Sequence, residues 1–312
     1  MDGRLQVFSG GGNRQLALDI MRVLEAPLGR AIIGCWSDGE TRVKLEENVR
    51  GSDVFAIQSL TQPVNHHLME LLIMIDAIKR ASAARVTAVI PYFAYAKQEK
   101  KTAGREPISA SLVAQLLMTA GVDRVVTLDL HSPAIEGFFK VPVDHLRATP
   151  MLASTFRRMG FQDLVAVSPD AGGVARAEDF RVRANASLAI ASKKRPTPEE
   201  AEVLEVVGDV EGKTTVIVDD MISSGSTMVR CAHKLMERGA RVVYAAAVHP
   251  IMSGDASQLL DNSPIKKLYV TDTVQLSEGV NSERIEVLTV APLLAEAIMR
   301  IHKDLSISAL FN

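Results

Sequence analysis

Val216-Ile217-Val218-Asp219-Asp220-Met221-Ile222-Ser223-Ser224-Gly225-Ser226-Thr227 is the stretch on which the reading of this chain turns. An apolar strand delivers two adjacent carboxylates at its C-terminal end, where ligands of open α/β sheets bind. A turn rich in hydroxyls and glycine then leads straight into a helix. The amides and hydroxyls of Ser223, Ser224, Gly225, Ser226 and Thr227 can cradle a phosphate against the positive helix end, and Gly225 allows close backbone approach. Asp219 and Asp220 suit sugar hydroxyls, or a metal held near them. Ser-Gly-Ser-Thr alone reads as a capped helix after a surface turn. The full order of strand, acids, turn and helix reads as a ligand site.

The same alternation of strand and helix fills most of the chain. Strand-like runs lie at 6–8, 54–57, 86–90, 125–128, 164–167, 215–218 and 242–245, and continuous apolar strands of this kind belong to parallel sheets covered on both faces. Apolar stripes at helical spacing run through Leu68, Leu71, Leu72, Ile75 and Ile78, through Leu112, Leu116 and Leu117, and from Met228 to Leu235 with Gly239 as the stop. Doubly wound α/β domains follow. Pro142 to Pro150 reads as a linker, dividing the chain into residues 1–147 and 148–300. The polar, proline-punctuated stretch Ser192–Glu200 has no apolar anchor and reads as mobile.

Composition narrows the class. With 47% apolar and 23% charged residues and a net charge of −2, a soluble cytoplasmic enzyme is expected, with no electrostatic reason for nucleic acid or membrane as partner. No run is long enough to span a bilayer, and no basic segment leads into an apolar one at the N-terminus. Cys35 and Cys231 are too few and too far apart for a disulfide framework; each sits in an apolar run and reads as a buried thiol.

Further segments carry chemistry. In Thr127-Leu128-Asp129-Leu130-His131-Ser132, His131 follows a buried strand at the ligand edge, with Asp129 close by. In Val167-Ser168-Pro169-Asp170-Ala171-Gly172-Gly173, Asp170 offers a hard oxygen and the glycines expose amides to a pyrophosphate. Magnesium takes few protein ligands and leaves its other positions to water and phosphates, so one histidine and one or two aspartates suffice. Gly10-Gly11-Gly12-Asn13 lacks the ending of a nucleotide-binding P-loop and reads as a tight strand-to-helix turn. Trp36-Ser37-Asp38-Gly39-Glu40 offers an aromatic face for a base and acids for its amino group. Lys97-Gln98-Glu99 lies in a polar loop where a cation can meet nucleotide phosphates.

The Val-Asp-Asp segment resembles the phosphoribosyl-binding loop of the phosphoribosyltransferase-type fold. In order, all these segments are similar to the ribose-phosphate pyrophosphokinase family in its common bacterial form. The likeness continues through Leu68–Ala77, Pro107–Ala110, Gly137-Phe138-Phe139, Pro142-Val143-Asp144 and Val207–Val210. The resemblance implies two phosphoribosyltransferase-like domains, each a mostly parallel sheet flanked by helices, with the tail 301–312 returning to the first. It implies transfer of a diphosphate from ATP to ribose 5-phosphate. It makes His131 and Asp170 magnesium ligands, and Lys193 and Arg195 the basic residues of a mobile catalytic loop. Asp219, Asp220 and Ser223 to Thr227 would hold ribose 5-phosphate, which Arg195 would also contact. ATP would be held by Lys97, Gln98, Glu99 and His131, and by Trp36, Asp38, Gly39 and Glu40 on a hairpin from a neighbouring subunit of a homohexamer. Arg50, Ser82, Ser306 and Ser308 resemble a site where inorganic phosphate activates. Ser306-Ile307-Ser308 equally reads as an edge strand.

Some positions depart from the family's text. Lys97 stands where arginine is common, Glu99 for an aspartate, Trp36 for phenylalanine, and Ser223 and Ser226 for an aspartate and a glycine. At Lys97 a two-pronged guanidinium becomes a point charge, so contacts there differ. The rival functions are a phosphoribosyltransferase, which shares the Val-Asp-Asp loop, and a silent regulatory paralogue.

Overall fold

The apolar runs are strands, and they are continuous because both their faces are covered. The computed structural model describes residues 3–194, 203–277, 280 and 283–310, and the chain divides into two units. In the first, β1 (Leu5–Ser9) leads through the glycine turn to α1 (Arg14–Val23), whose start is capped by the Asn13 side chain. The hairpin β2 (Ala31–Cys35) and β3 (Thr41–Leu45) follows. Then come β4 (Asp53–Ile57), α2 (Val64–Arg80), β5 (Arg85–Ile90), α3 (Ser109–Ala120), β6 (Arg124–Leu128) and β7 (Val143–Leu146). The sheet is parallel in the order β1-β4-β5-β6-β7. Alternate residues Val54, Ala56, Val86, Ala88 and Val125 join Leu71, Ile75, Ile78, Val113 and Leu117 of α2 and α3 in one core. Their neighbours Phe55, Val89 and Val126 are buried on the other face.

The second unit begins with α4 (Thr149–Arg158) and β8 (Leu164–Ser168), then α5 (Val174–Ala184), β9 (Ser187–Lys194), β10 (Val203–Val207) and β11 (Thr214–Ile222). It continues with α6 (Ser226–Glu237), β12 (Val242–Pro250), α7 (Ala256–Asp261), β13 (Ile265–Thr271) and β14 (Ile285–Leu288). Its seven strands run β10-β9-β8-β11-β12-β13-β14, all parallel but β10. From β8 the chain winds to β9 and β10, then returns to β8's other side as β11 and winds the opposite way. The strand order therefore reverses between β8 and β11, which is where open α/β sheets bind ligands.

Several expectations are corrected. Most of Pro142–Pro150 is structured rather than linker: Val143–Leu146 form the edge strand β7, paired with β6, and Thr149 opens α4, so the division between Arg147 and Ala148 falls in the two residues left between them. The return to the first unit begins at Thr289, not 301. There α8 (Ala291–His302) packs on α1. Arg85 fastens the end of α8, donating to both carboxylate oxygens of buried Asp53 at 2.8 and 2.7 Å and to Ile301 O at 2.7 Å, while His302 Nδ1 lies 2.9 Å from Asp53 Oδ2. Of the stretch expected to be mobile, Ser192–Lys194 end β9, and residues 195–200 lie outside the described ones. Ser308–Leu310 form a 3-10 turn rather than an edge strand. Cys231 is buried, but Cys35 is exposed, because it belongs to a two-stranded hairpin rather than to a covered sheet.

Candidate active site

β11 outruns its neighbour. Its pairing with β8 ends at Ile217↔Val167, so Asp219 and Asp220 lie in the strand beyond the β8 ladder, over the crevice at the reversal. They are not at the strand's end, which continues to Ile222. Asp220 is buried and Asp219 half-buried. Arg176, in the first turn of α5, donates to Asp219 Oδ1 at 3.0 Å and stands 3.4 Å from Asp220 Oδ1. The Asp220 amide donates to Asp219 Oδ1 at 2.8 Å. Burial, reinforced by the neighbouring Asp220, pushes Asp219 up to about 8 against the pull of Arg176.

The turn after β11 is built for an anion. Gly225 takes the left-handed conformation, φ +76°, that closes the turn and opens α6. The first intrahelical bond is Val229 N–H to Gly225 O at 2.9 Å, so the preceding amides point outward without helical partners. Ser224 and Ser226 are exposed with their hydroxyls 3.1 Å apart, and Ser223 Oγ lies 3.1 Å from Ser253 Oγ. Thr227 is half-buried in the first turn of α6.

On β8's side, exposed Asp170 accepts the Gly173 N–H at 2.9 Å, which fixes its carboxylate at the start of α5. A side chain at 173 would place Cβ 2.9 Å from Ser168 Oγ, so any residue larger than glycine would have to displace that hydroxyl. Two helix N-termini and three carboxylates thus border one crevice.

In the first unit, His131 is exposed just past β6. Asp129 before it is buried with φ +35°, an unusual conformation for a side-chain-bearing residue. Between them, the Leu130 N–H donates to His145 Nε2 at 2.8 Å. His145 Nδ1 lies 2.5 Å from Glu136 Oε1. Nε2 accepts, so Nδ1 carries the proton and donates to the carboxylate. Burial, and then Arg147, push His145 down to about 4.

The hairpin places Trp36, Asp38, Gly39 and Glu40 at its tip. Trp36 N–H donates to Glu40 O at 2.8 Å, Gly39 N–H to Trp36 O at 3.0 Å, and Glu40 N–H to Asp38 Oδ1 at 3.1 Å. Lys97 and Gln98 lie in a 3-10 turn (Ala96–Gln98), not an open loop. Lys97 is exposed, Gln98 Oε1 accepts from Ser109 Oγ at 2.6 Å, and Glu99 pairs with Lys100 Nζ at 3.4 Å. Arg50 is exposed, and the next residue's amide, Gly51 N–H, donates to Ser82 O at 2.9 Å; Ser306 Oγ accepts from Ser308 N–H at 3.2 Å. Lys193 lies at the end of β9, and Arg195 is outside the described residues. Among the described residues, no three of His, Cys, Asp and Glu gather as a metal cluster. Sequence reading missed Arg176, Ser253 and His145. Arg176 was signalled only by its place three residues after Gly173, and the other two come from distant strands and turns.

An acid pair and an open helix start at a strand-order reversal define a phosphate- and sugar-binding α/β protein. The N-terminal domain of ribose phosphate pyrophosphokinase matches residues 5–121, and the phosphoribosyl synthetase-associated domain matches residues 165–312. The chain is 50% identical over 311 residues to the ribose-phosphate pyrophosphokinase of Clostridium tetani, covering 99% of this chain and 97% of that one. With the Bacillus subtilis enzyme of the same name it shares 48% over 311 residues, covering 100% and 98%. The crystal structure of phosphoribosylpyrophosphate synthetase from Mycobacterium smegmatis superposes with a TM-score of 0.91 at 41% identity, covering 96% of this chain and 99% of that one. The chain belongs to the ribose-phosphate pyrophosphokinase family.

Proposed function

We propose that this chain transfers the β,γ-diphosphate of ATP to the 1-hydroxyl of ribose 5-phosphate, giving phosphoribosyl pyrophosphate and AMP. The observation that carries it is the crevice between β8 and β11, where the acid pair meets the open amides of α6. The 5-phosphate sits on Ser223–Thr227 and the ribose hydroxyls donate to Asp219 and Asp220, with Arg176 offsetting their charge. The anomeric oxygen attacks the β-phosphorus, and the α–β bridging oxygen leaves with AMP. Catalysis is then mainly positioning and electrostatic stabilisation, with Lys193 and Arg195 meeting charge on the transferred group.

His131 and Asp170 are each proposed as magnesium ligands, with Asp129 nearby in sequence. Asp170 fits the role, being an exposed carboxylate held by a backbone amide. Magnesium, when bound, neutralises charge on the diphosphate. ATP is held by Trp36, Asp38, Gly39 and Glu40 and by Lys97, Gln98, Glu99 and His131. A homohexamer in the cytoplasm, activated by inorganic phosphate near Arg50, Ser82, Ser306 and Ser308, completes the proposal. No described helix is long and apolar enough to cross a membrane.

The test is AMP formation by the purified chain with ATP, ribose 5-phosphate and magnesium. AMP appearing only when both substrates are present supports the reading. A phosphoribosyltransferase would instead consume phosphoribosyl pyrophosphate with a base, and a silent paralogue would form no AMP.

A further inference from the structure

We infer that Arg42 is a positioning residue for the nucleotide's base: it holds the Trp36 ring as a one-sided platform for a purine. The inference rests on the proposed role of Trp36. Arg42 Cζ lies 4.5 Å from the centre of the Trp36 ring, over one face. The hairpin register explains how it gets there. Gly34 pairs with Arg42 and Cys35 with Thr41, so Arg42 is the diagonal neighbour of Trp36 on the same face. Its direct partner, Gly34, has no side chain, and a Cβ there would meet nothing within 4 Å. That space lets the guanidinium lie along the hairpin towards the indole.

The other face of the hairpin is anchored. Ile33 and Val43 pack on the core of the first unit, and Cys35 Sγ lies 4.0 Å from His66 Nδ1 on α2. The tip therefore presents Trp36 outward, and the residue keeps 52% of its surface exposed. An exposed indole without support samples several rotamers, and a base stacking on it must first immobilise it. A cation on one face is attracted by the ring's electrons and fixes that orientation beforehand. It also leaves the opposite face for a flat, neutral base.

Trp36 is the only tryptophan of the chain, so its emission reports this site alone. The full-length protein and its Arg42→Gln variant are titrated with adenosine and with ATP, following fluorescence, and acrylamide quenching is measured on each free protein. In the wild type both ligands should change the emission. Arg42→Gln should make the free indole more quenchable and weaken adenosine and ATP alike by roughly three- to tenfold, the loss appearing in KM for ATP rather than kcat. Arg42→Lys should restore part of the affinity, keeping the charge but not the planar stack. Unchanged quenching and affinities in Arg42→Gln would overturn the assignment. A loss for ATP with adenosine unaffected would also overturn it, making Arg42 a phosphate contact instead. Wild-type emission that ignores both ligands at concentrations supporting turnover would remove Trp36 from the base site altogether.

Discussion

Arg176 reaches from the first turn of α5 to Asp219 Oδ1 at 3.0 Å and stands 3.4 Å from Asp220 Oδ1, joining the two sides of the strand-order reversal through one guanidinium. Before any sugar binds, that contact leaves Asp219 held up to about 8, chiefly by burial and by Asp220. A carboxyl raised from an ordinary 3.8 takes up protons on folding, so its contribution to stability is full at acid pH and is lost as pH climbs from about 4 to about 8.

Asp219→Asn should therefore flatten the fall in stability over that range. At pH 8 it should be more stable than wild type by roughly 1–2 kcal/mol, less than the full shift implies because Arg176 and Asp220 readjust. Its turnover should drop. Urea unfolding at pH 5 and pH 8 checks this, and parallel pH slopes for the two proteins would refute it.

His145 makes a prediction of opposite sign. Its folded pKa is depressed to about 4 from 6.5, so the stability it contributes is present above about 6.5 and is lost as pH falls towards 4. His145→Leu leaves the Leu130 N–H without its acceptor and should cost about 1–3 kcal/mol at pH 7.5. It should cost less near pH 5. An equal cost at both values would show that the hydrogen bond is not what the residue supplies.

Asp170→Asn keeps the shape and an oxygen for the Gly173 amide but removes the charge. The magnesium concentration needed for half-maximal rate should rise by tenfold or more, on the scale of losing a metal-supporting contact. Unchanged magnesium dependence would take Asp170 out of the metal site.

Lys193 is proposed to meet charge that develops only during transfer. Lys193→Ala should lower kcat and kcat/KM together by roughly a hundredfold or more while the Michaelis constants move little. Lys194→Ala, the adjacent cation, should be far milder. Wild-type turnover in Lys193→Ala would remove the residue from catalysis.

Sequence showed the parts of this protein that burial makes uniform. β4, β5, β6 and β8 are covered on both faces, and each reads as an apolar run, interrupted only by Thr87 in β5 and Thr127 in β6. The elements it hid are edges or mixed in character. β7 is Val-Asp-His-Leu and β14 is Ile-Glu-Val-Leu, and α5 carries charged residues through most of its length. Asp170, Asp219, Asp220 and the serine turn were legible because each follows or ends such a run. Arg176, Ser253 and His145 were not, because their roles come from which strands lie side by side. Nothing in a helix beginning Val-Ala-Arg announces a partner on β11, 43 positions away in the chain.

Attack at the β-phosphorus can be seen by following one oxygen. ATP carrying oxygen-18 in the α–β bridge is turned over by the purified chain with ribose 5-phosphate and magnesium, and the products are read by phosphorus NMR. Attack at the β-phosphorus predicts phosphoribosyl pyrophosphate and AMP in equal amounts, with the label wholly in AMP. Formation of ADP retaining the label would mean transfer of the γ-phosphoryl group instead, and would rule out diphosphoryl transfer by this chain.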